Sequence, residues 1–356
     1  MILLEQDSGG MSEDNVSLII IKFDIMKFIK YLLSVVLAGG LMTACNTDIE
    51  SVSVQNPYTY SDLYYQNLRD YKASDHSIAF GWFSQYGQQN SMAVRFMGLP
   101  DSLDICSLWG GIPAKENQEI WDELRFVQKV KGTKMLVVAI TRIDAETDDH
   151  DFKIAYNEAK LMPYGEEREA ALKKAIEMYA EYFLDQVFLN DLDGFDADYE
   201  PEGDFLSGSY FDYFMQHLSK YMGPNPNITK EERLKLIQER YGSGVTDVNK
   251  LLCVDSPGDP SSQLYDICDY YFKQAYGGGT STTWPIEKVV FCCNMGDGWQ
   301  GTMSEMYEQA RYQPAEGRKG GFGAFFIHRD YNVHENNPYP YKRFRECIQI
   351  QNPAVH

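Results

Sequence analysis

"TKMLVVAI" (Thr133 to Ile140) is apolar on every residue from Met135 onward. A strand with one wet face alternates apolar and polar side chains, whereas a strand buried on both faces need not. The run is of strand length rather than helix length. Burial on both faces requires helices above and below, which is the setting of a parallel sheet in an α/β fold.

The same grammar extends in both directions. Upstream lie "HSIAFGWF" (76–83) and "SLDICSLWGG" (102–111). Downstream come "LDGFDADYE" (192–200), "KLLCVDSP" (250–257), "ICDYYFKQAY" (267–276), "KVVFCCNM" (288–295) and "GFGAFFIH" (321–328). Helical patterns separate several of them. Residues 166–188 place Leu172, Ile176, Tyr179 and Phe183 on one face. Residues 229–242 open with Thr229 and Glu232, a capping box, and close on Gly242. Eight strand candidates alternating with helices predict an α/β fold, a single-domain (β/α)8 TIM barrel over 61–356. An open doubly wound sheet is the rival arrangement.

The N-terminus reads as a leader. Met26 to Lys30 is short and basic, Tyr31 to Ala44 is uncharged, and Cys45 follows. That stretch is short for a membrane span and has signal-peptide architecture. "LMTAC" (Leu41 to Cys45) resembles a bacterial lipobox, with Met42 at the usual Leu position. The expected organisation is an extension over 1–25, a lipoprotein signal peptide over 26–44, a polar tether over 45–60 and the barrel beyond. Lipidation of Cys45 would make the lipid anchor the chain's membrane contact, in the cell envelope at the outer membrane. The formal charge of −20 argues against nucleic acid and anionic headgroups as partners. A monomer is expected. Cys106, Cys253, Cys292 and Cys293 sit inside apolar runs and read as buried thiols. Neither the cysteines nor the six histidines show metal-ligand spacing, and no cofactor is expected.

The acidic stretch from Leu189 to Asp204 carries the chemistry. It holds Asp191, Asp193, Asp196, Asp198, Glu200, Glu202 and Asp204, with Phe195, Ala197 and Tyr199 interleaved. Read as a strand over 194–200, it puts Asp196, Asp198 and Glu200 on one face and the apolar residues on the other. In a barrel the acids point inward, and Pro201 should stop the strand with Glu200 at its carboxyl end. Acids stacked this closely raise one another's pKa, so Glu200 is expected to stay protonated near neutral pH and serve as a general acid. Asp193 has the opposite parity and reads as structural. A calcium loop fits less well, because Leu189 stands where a carboxylate is needed. A solvated acidic turn does not explain the apolar alternation.

"DGFDADYE" (Asp193 to Glu200) resembles the DGxDxDxE motif of glycoside hydrolase family 18, the chitinase and endo-β-N-acetylglucosaminidase family. "FKQAY" (Phe272 to Tyr276) is similar to the sixth-strand Gln-x-Tyr of the endoglycosidase branch, and "GGFGAFFIHRDYN" (Gly320 to Asn332) to its last strand. In detail the chain resembles lipoprotein members from gut Bacteroidetes. The resemblance implies a retaining, substrate-assisted glycosidase acting through an oxazolinium intermediate. Glu200 would be the acid, Asp198 the orienter of the 2-acetamido group, and Asp196 the partner tuning Asp198. Tyr276 and Gln274 would hold the acetamido carbonyl. Chitinases of the family commonly carry Trp-Glu at the motif's end and an inward Trp in the last strand. Tyr199-Glu200 and Phe325, Phe326 and His328 stand here instead. This favours the chitobiose core of N-glycans as substrate over chitin; a chito-oligosaccharide hydrolase and a non-catalytic glycan-binding barrel are the alternatives.

Near strand ends, Trp82 and Trp109 are candidates for stacking on sugar, and Asp255 and Asn294 for contacting hydroxyls. "HRDYN" (His328 to Asn332) looks like a kinase catalytic loop but lacks the accompanying Gly-rich loop, lysine and DFG.

Overall fold

A computed structural model describes residues 59–87, 91–144, 149–200 and 206–353. Every expected strand is present: β1 (Ile78–Phe83), β2 (Ile105–Leu108), β3 (Lys134–Ile140), β4 (Gly194–Asp198), β5 (Leu251–Ser256), β6 (Tyr270–Gln274), β7 (Val289–Asn294) and β8 (Gly321–Phe325). Each pairs in parallel with the next, and β8 pairs with β1, so the sheet closes into a barrel. The leader, Cys45, most of the tether, and Pro201, Glu202 and Asp204 lie outside the described residues.

The helices are α1 (Asp62–Ala73), α2 (Gln118–Arg125), α3 (Asp151–Leu161), α4 (Glu166–Leu189), α5 (Ser209–Leu218), α6 (Lys230–Tyr241), α7 (Ser304–Arg311) and α8 (Lys342–Gln351). The Thr229–Glu232 capping box forms in both directions at the start of α6. The eight units are not uniform. Short 3-10 turns, rather than α-helices, link β1 to β2, β5 to β6 and β6 to β7. Among the described residues no helix is long and apolar enough to cross a membrane.

Strand parity divides the core in two. Outward residues such as Phe195, Ala197 and Val254 pack against the helices, where Phe183 of α4 stacks on Phe195 with ring centroids 4.6 Å apart. Inward residues Ile78, Phe80, Ile105, Leu136, Cys253, Phe272 and Val290 fill the barrel. Phe80 and Phe272 stack across it at 3.6 Å. Gly323 of β8 makes room for them, because a Cβ there would lie 2.8 Å from the Phe80 ring and 2.9 Å from the Cys292 sulfur. The lower barrel is therefore plugged by hydrocarbon, leaving the carboxyl ends of the strands as the open end. The six cysteines of the described residues are buried free thiols, as expected for Cys106, Cys253, Cys292 and Cys293, and Cys268 and Cys347 join them.

One boundary differs from the sequence reading. β4 ends at Asp198, two residues short of Glu200. The last ladder bonds run from Thr141 N to the Asp198 carbonyl at 3.0 Å and from Tyr199 N to the Asp255 carbonyl at 2.8 Å. Glu200 sits on the rim just past them.

Candidate active site

Two residues set the start of β4. Gly194 passes so close to β5 that a Cβ would fall 2.2 Å from the Leu251 carbonyl oxygen. Asp193 faces away from the barrel, accepting from Gln128 Nε2 at 2.7 Å and from Met135 N at 2.9 Å. Asp193 is structural, as its parity implied.

From there the alternation holds. Phe195 and Ala197 are buried against the helices, and Asp196 and Asp198 are buried inside the barrel at 0% and 1% exposure. Tyr199 stacks outward on Phe211 at 4.0 Å, which leaves the next side chain, Glu200, to the inner side. Glu200 is half-buried, and its charge acts on both Asp198 and Tyr276. The three motif acids therefore form one column, from the closed interior to the accessible rim.

Neighbouring strands fix each member. Asp196 Oδ2 accepts from Ser107 Oγ of β2 at 2.7 Å and from Trp82 Nε1 of β1 at 3.1 Å. Asp198 is the register partner of Asp255 on β5. Gln274 at the end of β6 donates from Nε2 to Asp198 Oδ1 at 3.2 Å and to Asp255 Oδ1 at 2.6 Å. The backbone of Asp198 is clamped by Thr141, whose N and Oγ1 both donate to its carbonyl.

Desolvation and crowding dominate the electrostatics. Burial pushes Asp196 up to about 7 against the pull of the Ser107 hydroxyl, with the charge of Asp198 adding to the rise. Burial, followed by the charge of Glu200, raises Asp198 to about 7, while hydrogen bonds and the Arg142 guanidinium act the other way. Asp255 is raised well above the usual carboxylate range by burial and then by the charges of Asp198 and Asp196. Tyr276 is raised by burial and by the carboxylates, so its hydroxyl keeps its proton.

An aromatic shelf borders the acids. Phe325, inward at the end of β8, is half-buried and touches Trp109 at 5.2 Å, Trp82 at 6.2 Å and Tyr276 at 6.1 Å. The chain then turns through a left-handed conformation at Phe326, φ 53°, which a bulky residue rarely adopts. That turn lays Phe326 on Phe325 with centroids 3.9 Å apart. His328 does not reach the mouth. It is 4% exposed, and burial, followed by Arg329, lowers it to about 4.

The structure thus brings Asp196, Asp198, Glu200, Gln274, Tyr276 and Asp255 together at the carboxyl ends of β4 to β6. Trp109 is half-buried at the rim, where stacking on a ring is open to it. Two candidates have other surroundings than expected. Trp82 is 1% exposed and presents its indole N–H to Asp196, so it is no stacking surface. Asp255, at 1% exposure, faces Asp198 and Gln274 rather than solvent. Asn294 is half-buried, and its Oδ1 accepts from Gly296 N at 2.6 Å, capping the helical turn Met295–Gly298. Ser107 and Arg142 belong to the site and were missed. Ser107 left a signal, a polar residue with inward parity beside Ile105; Arg142 left none. A cavity of about 690 Å³ lies between α5 and α6, and none of these acids lines it. The acid column, not cavity size, marks the site.

A family model, a curated relative and solved structures match the chain. The family model described as glycoside hydrolase family 18, BT1044-like, matches residues 44–284. The chain is 24% identical over 342 residues to endo-β-N-acetylglucosaminidase F2 of Elizabethkingia meningoseptica, covering 85% of this chain and 90% of that protein. A solved selenomethionine Glu-to-Gln variant of BT1044 superposes with a TM-score of 0.61 at 23% identity, covering 82% of this chain and 93% of that one. An endo-β-N-acetylglucosaminidase double mutant from Cordyceps militaris, in complex with fucosyl-N-acetylglucosamine-Asn, gives 0.57 at 20% identity, covering 84% and 98%.

Proposed function

The chain belongs to glycoside hydrolase family 18, BT1044-like, and we propose that it cleaves the β-1,4 bond between the two core N-acetylglucosamine residues of N-linked glycans. It is a glycosidase acting on N-acetylglucosamine linkages. The observation that carries the finer reading is the acid column: an accessible carboxyl, Glu200, stands directly beyond a buried, crowded pair, Asp198 and Asp196. The Elizabethkingia relative, an endo-β-N-acetylglucosaminidase by name, supports the substrate class.

In this reading Glu200 protonates the glycosidic oxygen as the bond to the anomeric carbon breaks. The substrate's own 2-acetamido carbonyl oxygen attacks that carbon, because the family uses substrate assistance in place of a second carboxylate nucleophile. Asp198 accepts the acetamido N–H and balances the positive charge of the oxazolinium. The Tyr276 hydroxyl, kept protonated by its surroundings, donates to the acetamido oxygen. Gln274 holds Asp198 in place. Water activated by the Glu200 carboxylate then opens the oxazolinium with net retention. Phe325 and Trp109 offer the ring-stacking surface. We also propose that Cys45 is the lipidated first residue of the mature chain.

The test is mass spectrometry of a high-mannose glycoprotein after incubation. A released glycan ending in one N-acetylglucosamine, with its partner left on Asn, is the expected product. Cleavage of chitin oligomers alone would point to a chitinase. Glu200→Gln should lower kcat by about 10²–10⁴-fold with little change in substrate affinity. An undiminished rate would refute Glu200 as the acid.

A further inference from the structure

Asp255 has no place in the motif, yet it sits deeper in the acid cluster than Glu200. It lies opposite Asp198 on the adjacent strand, and its carboxyl is within hydrogen-bonding reach of both Asp196 and Asp198. Its Oδ1 is taken by Gln274 Nε2, the same donor that bonds Asp198. Two oxygens remain. Asp255 Oδ2 and Asp196 Oδ1 are both fully buried, and neither finds a donor among the described residues. Two ionised carboxylates facing one another in a dry interior would be strongly unfavourable, and an orphaned buried acceptor adds to the cost. A single proton between the two acids satisfies both oxygens and removes one charge.

We propose that Asp255 is a positioning residue that shares one proton with Asp196 and, by neutralising that pair, leaves Asp198 as the anion aimed at the substrate. Gln274 fixes the geometry by holding Asp255 and Asp198 side by side. The charged and titratable groups around Asp255 are consistent with this. Asp196 and Asp198 face it from β4, and its charge is felt by Tyr276 beyond β6, Tyr271 of β6 and Cys292 of β7. None of these is a cation. A basic group that acts on the cluster is Arg142, through Asp198. Among the described residues no cation is paired with Asp255, and a proton is the available counter-charge.

The role rests on the glycosidase reading, but the proton is observable without substrate. Infrared spectra of the free enzyme with isotope-labelled aspartate should show a buried protonated-carboxyl stretch at about pH 9, above the range in which Asp198 takes up a proton. Asp255→Asn should abolish it, and Asp198→Asn should retain it. Absence of the band in the wild type, or its persistence in Asp255→Asn, overturns the proposal whatever the protein's activity. Kinetics supply the second arm. Asp255→Leu removes both the proton and the acceptor for Gln274, and kcat should fall about 100-fold with KM nearly constant. Asp255→Asn offers an N–H to Asp196 and an acceptor to Gln274, and should recover kcat to within about tenfold of wild type. A rise in KM with kcat unchanged would make Asp255 a substrate contact and sink the inference. If Asp255→Leu does not fold, the isosteric Asn variant and its spectrum still decide. Absence of any glycosidase activity alongside the expected spectra would count against the functional reading alone.

Discussion

Asp198 is held where an ionised carboxylate is costly, and that cost has a measurable sign. An acid whose pKa is higher folded than unfolded binds more protons in the native state between those two values. Stability then falls as pH rises through that window. For Asp196 and Asp198 the window runs from the ordinary aspartate value to about 7. The cluster therefore weakens the fold progressively up to neutral pH and by a constant amount above it. Asp198→Asn should stabilise the protein by about 1–3 kcal/mol at pH 8 and by almost nothing at pH 4, read as urea midpoints, while activity falls. Equal effects at both pH values would mean that the carboxyl is not ionising at neutral pH. At this scale the sequence was informative about the acids themselves, because Phe195, Ala197 and Tyr199 betray the alternation. It was silent about their partners. The Trp82 indole and the Ser107 hydroxyl reach Asp196 from strands 114 and 89 residues away, and only barrel closure makes them neighbours.

At the scale of the element, apolar runs covered on both faces identified most of the strands, and the alternation of acids with Phe195 and Ala197 identified β4. Strand ends were harder. Whether β4 stops at Asp198 or Glu200 depends on which backbone groups of β3 and β5 remain to pair, and local sequence does not encode that. The absence of helices between β5 and β6 and between β6 and β7 was equally hidden. β8 also serves the site through a residue that touches no substrate. Its Gly323 lets Phe80 stack on Phe272, and Trp82 in turn packs edge-on to Phe80 at 4.5 Å. Gly323→Ala should cost about 1–3 kcal/mol by overpacking, since the nearest Phe80 atoms include backbone as well as ring. An unchanged denaturation midpoint would show slack in the plug that the distances do not suggest.

At the scale of the whole molecule, the last helix fastens the end of the barrel opposite the mouth. Gln351 Nε2 of α8 donates to the carbonyls of Ser77 and Ile78, stitching the C-terminal helix to the start of β1. The segment between the aromatic shelf and α8 is pinned by one buried ion pair. Arg343 Nε donates to Asp330 Oδ1 at 2.7 Å, with the two side chains 1% and 0% exposed, and Asp330 Oδ2 accepts from Phe344 N at 3.0 Å. This gives the kinase-like "HRDYN" a physical role, since its aspartate is an anchor far from solvent. Removing one partner of a buried pair strands the other charge. Arg343→Met should therefore cost about 3–5 kcal/mol at neutral pH. Burial already raises Asp330, and losing the guanidinium raises it further, so the variant should be least stable at alkaline pH and recover as the solution is acidified. Adding Asp330→Asn removes the stranded charge and should restore most of the loss. If the double variant is as unstable as the single one, the pair matters through packing rather than charge. Because Phe325 and Phe326 directly precede this anchored segment, the single variant should also weaken substrate binding while leaving the Asp196–Asp198 geometry, set by other strands, intact.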